Sequence, residues 1–230
     1  MLKKLTQKFT IHTILILTSL LSIFPFIWLT STSLKGLSED IFAYPPKLIP
    51  TDFTFANYVD VWGKVDFMSY FWNSVIVAAL TVLLNLILSS LAAYPLARMN
   101  FKGKKFVFFS ILATIMIPFQ AIMLPVYIIT LKLHLIDSVN NVMGYIGLVM
   151  PFAVSAFGIF LMRQAFLKVP KEVEEAAIVD GCNVFQMFIK VVLPMVKPTL
   201  AVLAVFTFIG SWGEFLWPSI MLTKDSMYTL

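Results

Sequence analysis

The sequence predicts an all-α fold, a polytopic transmembrane helical bundle, and three observations predict it. Sixty per cent of the residues are hydrophobic and 13% are charged, with a mean hydropathy of +0.90. A soluble domain carries about a quarter charged residues, so this chain has too few to cover its outside with polar surface. Lipid removes that need, because it is itself the solvent of the outer faces. The apolar residues gather into five long runs, each near the ~20 residues that a spanning helix requires. None of them alternates with period two, which argues against barrel strands.

The runs cover residues 11–30, 71–97, 106–131, 142–162 and 199–222. The first follows Lys3, Lys4 and Lys8, as a signal peptide would. Its apolar stretch is longer than an ordinary h-region and no small-residue cleavage site follows, so it reads as a retained helix. Pro25, Pro118, Pro125, Pro151 and Pro218 fall within the runs. Neighbouring helices or water can satisfy the carbonyl groups that such prolines free. With the N-terminus in the cytoplasm, twelve of the seventeen lysines and arginines fall in inner segments. The positive-inside rule therefore selects a multi-pass chain with its N-terminus in the cytoplasm.

Organisation follows from the spans. Residues 1–69 form an N-terminal transmembrane helix and an extracellular loop, in which Tyr44-Pro45-Pro46 and Trp62 suggest an ordered segment. Residues 70–230 form a core that includes a cytoplasmic loop at 163–197. The chain stops after an aqueous turn at Thr223-Lys224-Asp225-Ser226, and the expectation is that a sixth span is missing. The net charge of +5 is scattered between spans rather than gathered on one face, which argues against nucleic acid as a partner. Cys182 is the single cysteine, so an internal disulfide and a multi-cysteine metal site are excluded. No cofactor is expected.

The loop between the fourth and fifth runs carries the most local information. Pro170 suits the first position of a helix, and Glu172, Glu174 and Glu175 complement the dipole of its first turns. Gly181 can take the left-handed conformation that ends a helix, and Asn183 offers an N-cap for a second one. Val173, Ala176, Ala177 and Asp180 share a face by the i, i+3, i+4, i+7 rule. The two alanines make that face low, and a greasier face on the second helix holds Phe185, Phe188 and Val192. On pattern alone this is either a solvated loop or a docking element.

The same segment resembles the signature loop of ABC-importer permeases of the binding-protein-dependent type. In that loop Glu-Ala-Ala is followed by three residues, Gly, nine residues and Ile-x-Leu-Pro. Here Glu175-Ala176-Ala177, Gly181, Leu193 and Pro194 stand at those positions, and Val191 replaces the isoleucine. Met116-Ile117-Pro118 to Pro125, the stretch 160–170, and Gly213-Glu214-Phe215-Leu216-Trp217-Pro218 look like the carbohydrate-uptake, maltose-type branch. The resemblance implies the type I importer permease fold, of which five spans are present. It implies that Glu175, Ala176, Ala177, Gly181, Val191, Leu193 and Pro194 dock an ATP-binding cassette subunit through the loop at 170–194. It further implies a second permease subunit, an extracellular solute-binding protein and membrane lipid as partners, with a sugar or related polyol as solute. ATP chemistry belongs to the separate subunit, because no G-x-x-x-x-G-K-[ST] phosphate loop is present here.

Glu214 is the only carboxylate inside a predicted run, beside Trp212 and Phe215. Ionisable groups there often line a pathway, and a carboxylate among aromatic rings suits a sugar. The alternative is an aromatic girdle at the outer interface. Asn85 in the second run is either a pore group or an interhelical hydrogen bond. Two rival classes, a stand-alone channel or secondary transporter and a membrane-embedded enzyme, find less support. A proton- or sodium-coupled carrier would favour more buried acids, and no H-E-x-x-H or paired intramembrane aspartates occur.

Overall fold

The protein is described by a computed structural model covering residues 2–45 and 47–230. The side chains of residues 1–6, Lys3 and Lys4 among them, and Pro46 of the Tyr-Pro-Pro motif lie outside the described residues. Among the described residues the regular structure is helical, and the chain divides into two compact units, Met1–Phe67 and Met68–Leu230.

In the first unit, helix α1 (Leu2–Ser33) carries the candidate span Gln7–Ser33. The leucines, isoleucines and phenylalanines of that span, from Phe9 to Leu29, are exposed, the state expected of a helix whose solvent is lipid. The following segment is held by its own hydrogen bonds. Gly36 N–H donates to Asp52 O at 2.8 Å and Thr54 N–H to Leu34 O at 2.9 Å. Lys35, buried at 3% exposure, donates to Lys47 O and lies 5.4 Å from the Trp28 ring centroid. Burial would raise the Glu39 carboxyl, but backbone donors at Thr51 and Asp52, with Lys35 alongside, hold it below the ordinary carboxylate range. Helix α2 (Ala56–Lys64) closes the segment, with Asn57 donating to the carbonyls of Ser33 and Lys35.

The second unit is built on α3 (Phe67–Arg98), the other helix long and apolar enough to cross alone. Its buried face is a stripe of small and polar side chains, including Ala78, Thr81, Asn85, Ser89 and Ala93. Small residues let spanning helices approach closely where lipid supplies no hydrophobic drive between them. Gly158 of α7 (Ala156–Lys168) shows how close: a Cβ there would stand 2.6 Å from Ser89 Oγ and 3.0 Å from Asn85 Oδ1. Asn85 donates to Phe152 O at 3.0 Å, so it serves an interhelical hydrogen bond.

The remaining runs are not continuous rods. The third is α4 (Lys104–Thr114) and α5 (Phe119–Lys132), bent by 98°. Proline disfavours helical backbone in the residue before it, and Pro118 is itself extended at ψ 140°. The fourth is α6 (Asn141–Val149) with the short turn Met150–Phe152, then α7, bent by 57°. Ser155 starts α7 by accepting the N–H of Gly158 at 2.9 Å. The fifth departs from expectation most. Residues 199–222 are not one helix, because α11 (Lys197–Trp212) ends at Gly213 and α12 (Leu216–Met221) is a separate short helix. Glu214, one residue before the N-cap Phe215, accepts the N–H of Trp217 at its Oε1, 3.1 Å away. The apolar partner of α11 is instead the segment 184–195, at 78° to it.

Candidate coupling loop and membrane cavity

The loop after α7 folds as its local chemistry dictates. Helix α8 (Lys171–Val179) starts from Pro170, which stands at the cap position rather than inside the first turn. Gly181 takes φ +81°. Its N–H reaches Ile178 O and the N–H of Cys182 reaches Ala177 O, both at 3.0 Å. That double bond pattern with a left-handed glycine is a Schellman stop. Two residues later a capping box opens the next helix. Asn183 Oδ1 accepts from Gln186 N–H at 2.9 Å, and Gln186 Oε1 accepts from Asn183 N–H at 3.1 Å. The helix continues as α9 (Val184–Gln186), a π-helical stretch Met187–Val192 and α10 (Leu193–Met195).

The face that α8 leaves free differs from the one helical spacing selected. Ala177 is buried at 5% exposure and Val173 is half-buried, so both turn toward the bundle. Glu172, Glu175, Ala176 and Val179 are exposed. The two alanines thus have different surroundings: Ala177 lets α8 lie close on its own core, and Ala176 keeps the outer face low. Gly181 and Pro194 are exposed, whereas Val191 and Leu193 rest against the buried cluster. Phe188 and Val192 are buried as their pattern suggests, but Phe185 is exposed and Met187 takes a buried place.

Beneath the loop lies an aromatic hub. The Tyr94 ring of α3 meets Phe166 of α7 at 5.7 Å and Phe188 at 5.0 Å, and the two phenylalanines lie 6.1 Å apart. One turn beyond Tyr94, Arg98 Nε lies 2.9 Å from Glu174 Oε1, with side-chain exposures of 8% and 14%. Arg98 also donates to Val169 O. Arg163 Nε donates to Leu96 O at 3.0 Å, and its guanidinium lies 4.0 Å from the Phe108 ring centroid. Lys104 donates to the carbonyls of Ala97 and Met99, groups left open where α3 ends. Sequence reading counted these cations only for orientation. The available signal was Arg98 standing four residues after Tyr94, on the same helical face.

A cavity of about 600 Å³ opens elsewhere in this unit, and the helix breaks line it. Ile115 and Ile117, then Val154 and Ser155, and Glu214 come from the three interruptions, with Phe152 and Ser211 just beside them. Irregular backbone at membrane depth is tolerated where it is buried in protein or lines a water-filled space. Thr81, Asn85, Ser155, Thr207, Ser211 and Glu214 supply polar groups among an apolar, aromatic majority that includes Phe119, Phe152 and Trp217. Trp217 is fully buried and donates from Nε1 to Gly147 O at 3.2 Å. Of the four residues expected on a pathway, Asn85 and Glu214 line this cavity. Trp212 instead stacks on Phe208 at 5.4 Å, and Phe215 is 73% exposed. The hydroxyls of Thr81, Ser155, Thr207 and Ser211 went unnoticed in the sequence, because single serines and threonines in apolar runs carry no distinctive spacing.

Residues 85–230 match the family described as binding-protein-dependent transport system inner membrane component. The arabinooligosaccharides transport system permease protein AraQ of Bacillus subtilis (strain 168) is 35% identical over 221 residues, covering 92% of this chain and 74% of that protein. The diacetylchitobiose uptake system permease protein NgcG of Streptomyces coelicolor is 30% identical over 220 residues, covering 95% and 70%. Among solved structures, a chain of a bacterial ABC transporter involved in the import of the acidic polysaccharide alginate matches with a TM-score of 0.81 and 26% identity. That match covers 96% of this chain and 76% of that one. The interrupted spans, the loop built on Glu175-Ala176-Ala177 and Gly181, and these likenesses lead to one conclusion: the chain belongs to the binding-protein-dependent transport system inner membrane component family, as a membrane permease subunit and not an enzyme.

Proposed function

We propose that this chain forms one side of the solute path of an ATP-driven importer for a neutral carbohydrate or polyol. The observation that carries the reading is the free face of α8, at Glu172, Glu175, Ala176 and Val179, on a helix whose two ends are fixed by local chemistry. An ATP-binding cassette subunit docks there, on the cytoplasmic side, with the N-terminus of the chain on that side too. Val191, Leu193 and Pro194 hold the return of the chain toward α11 and so set the height of the docking element. When two ATP-binding subunits close around nucleotide, they favour one arrangement of the spans over the other by their differential affinity.

The cavity suits the solute class. A binding site of a few hundred Å³, mostly apolar with a few placed polar groups, is the ordinary form of a small-molecule pocket. Its hydroxyls and the Asn85 amide can exchange hydrogen bonds with sugar hydroxyls, and Phe119, Phe152 and Trp217 offer apolar surface to C–H faces. Glu214 is the one ionisable side chain in the lining, which disfavours an anionic solute. Relatives named for arabinooligosaccharides and diacetylchitobiose support the same class. The working assembly is two permease subunits, two ATP-binding subunits and an extracellular solute-binding protein, in the cytoplasmic membrane.

The test is affinity purification of the tagged chain from its native membrane in mild detergent. An ATP-binding subunit that co-purifies, and is lost with Gly181→Val while the chain still inserts, supports the reading. A chain that purifies alone in several mild detergents contradicts it.

A further inference from the structure

Resting on that functional reading, we propose that Arg98 is a positioning residue for coupling: it makes the docking helix α8 and the end of α3 move as one body. Arg98 is the last residue of α3 and Glu174 stands in the first turn of α8. A cation at a helix C-terminus and an anion at a helix N-terminus each complement the local dipole. The pair therefore joins two helix ends that already favour these charges. Arg98 also holds Val169 O, just before α8 begins. One guanidinium thus grips the docking helix both by a side chain and by the backbone leading into it.

The other contacts at this end do different things. Arg163 ties α7 to α3 and lies on the Phe108 ring of α4, and neither contact reaches α8. The Tyr94–Phe188 contact engages the helix after Gly181 rather than α8 itself. Arg98 is therefore the charged link from the docking helix to the second span. The pair is nearly buried, so its members have little water to turn to if they separate. Along α3 the same rigid helix carries Asn85 and Thr81 in the cavity wall. At 1.5 Å per residue these lie roughly 20–25 Å from Arg98. A displacement of α8 delivered at Arg98 is thereby applied to a wall of the solute cavity.

The experiment uses the assembled importer in proteoliposomes with Cys182→Ser and a single reporter, Thr207→Cys, in the cavity. Two quantities are read together: ATP hydrolysis, and the labelling rate of the reporter by a membrane-impermeant maleimide with and without ATP plus vanadate. The parent is expected to change its labelling rate on nucleotide trapping. Arg98→Ala is expected to keep the ATP-binding subunit and its hydrolysis while the nucleotide response of the reporter falls about five-fold or more. Arg98→Lys should recover most of that response, and Glu174→Gln, which keeps the side-chain shape, should reproduce the loss. If Arg98→Ala fails to assemble, Glu174→Gln decides by the same readouts. A full reporter response in Arg98→Ala or in Glu174→Gln overturns the proposal, as does a lysine variant no better than alanine. A parent that hydrolyses ATP without any reporter response overturns the functional reading and this inference with it.

Discussion

Three residues show how little chemistry fixes the functional geometry. At Gly181 a Cβ would meet nothing within 4 Å, yet φ is +81°. The requirement is conformational rather than steric, so Gly181→Ala should cost about 1–2 kcal/mol of local stability, the usual penalty of left-handed backbone for a residue with a Cβ. Hydrogen exchange of the amides of Gly181 and Cys182 measures it, and exchange as slow as the parent's would contradict the argument. Gly158 is the opposite case, with ordinary backbone and no space. Gly158→Leu drives carbon into Ser89, Ser155 and Asn85, and overpacking of this kind costs about 1–3 kcal/mol. A lowered thermal midpoint of the detergent-solubilised chain is the expected result. Asn85 sits between structure and function, because its amide already donates to Phe152 O while the side chain lines the cavity.

Among the elements, the segment after α12 is the most sharply conditional. Asp137, between α5 and α6, is wholly buried and accepts from Thr223 N–H at 2.7 Å, Thr223 Oγ at 2.9 Å and Lys224 N–H at 2.7 Å. Burial alone would raise its pKa, but these donors and the Lys224 charge outweigh it and hold the carboxyl below its ordinary range. A carboxylate with a depressed folded pKa contributes stability above its unfolded pKa and loses it as pH falls through the folded value. The clasp should therefore be intact at neutral pH and weaken only below about pH 4. Asp137→Ala strands two backbone donors, at about 1–3 kcal/mol each. The expected outcome is faster hydrogen exchange at residues 223–230 at neutral pH, with no further acceleration on acidification. Unchanged exchange in that variant would show that the Asn73 bonds to Ser226 O and Tyr228 O suffice to hold the segment.

The same elements show what a sequence discloses. Helix stops and starts are local, so Gly181 and Asn183 mark the turn and the new helix in the sequence alone. The apolar runs were also visible, but their interruptions were not. Hydropathy averaged over a window does not separate a rod from two half-helices at 98°, and Gly213-Glu214-Phe215 looked like span interior. The Arg98–Glu174 pair joins residues distant in sequence, and no local pattern announces such a pairing. Helical spacing groups Ala176 with Ala177, but the bundle covers Ala177 and leaves Ala176 on the free face, a division that only tertiary packing decides.

At the scale of the whole molecule, the proposed function has a docking helix at one end govern access to a cavity whose walls are broken helices. The breaks line that cavity, and the long helix α3 runs from the loop to its wall. The most direct measurement places a cysteine at Val179, 86% exposed on the free face of α8, with Cys182→Ser. Cross-linking is then carried out in native membranes, with and without nucleotide. The expected result is a cross-linked species of this chain and an ATP-binding subunit, with a yield that changes when nucleotide is bound. A Val179 cysteine that inserts normally and reacts freely with soluble maleimide, yet never captures an ATP-binding subunit, would contradict it.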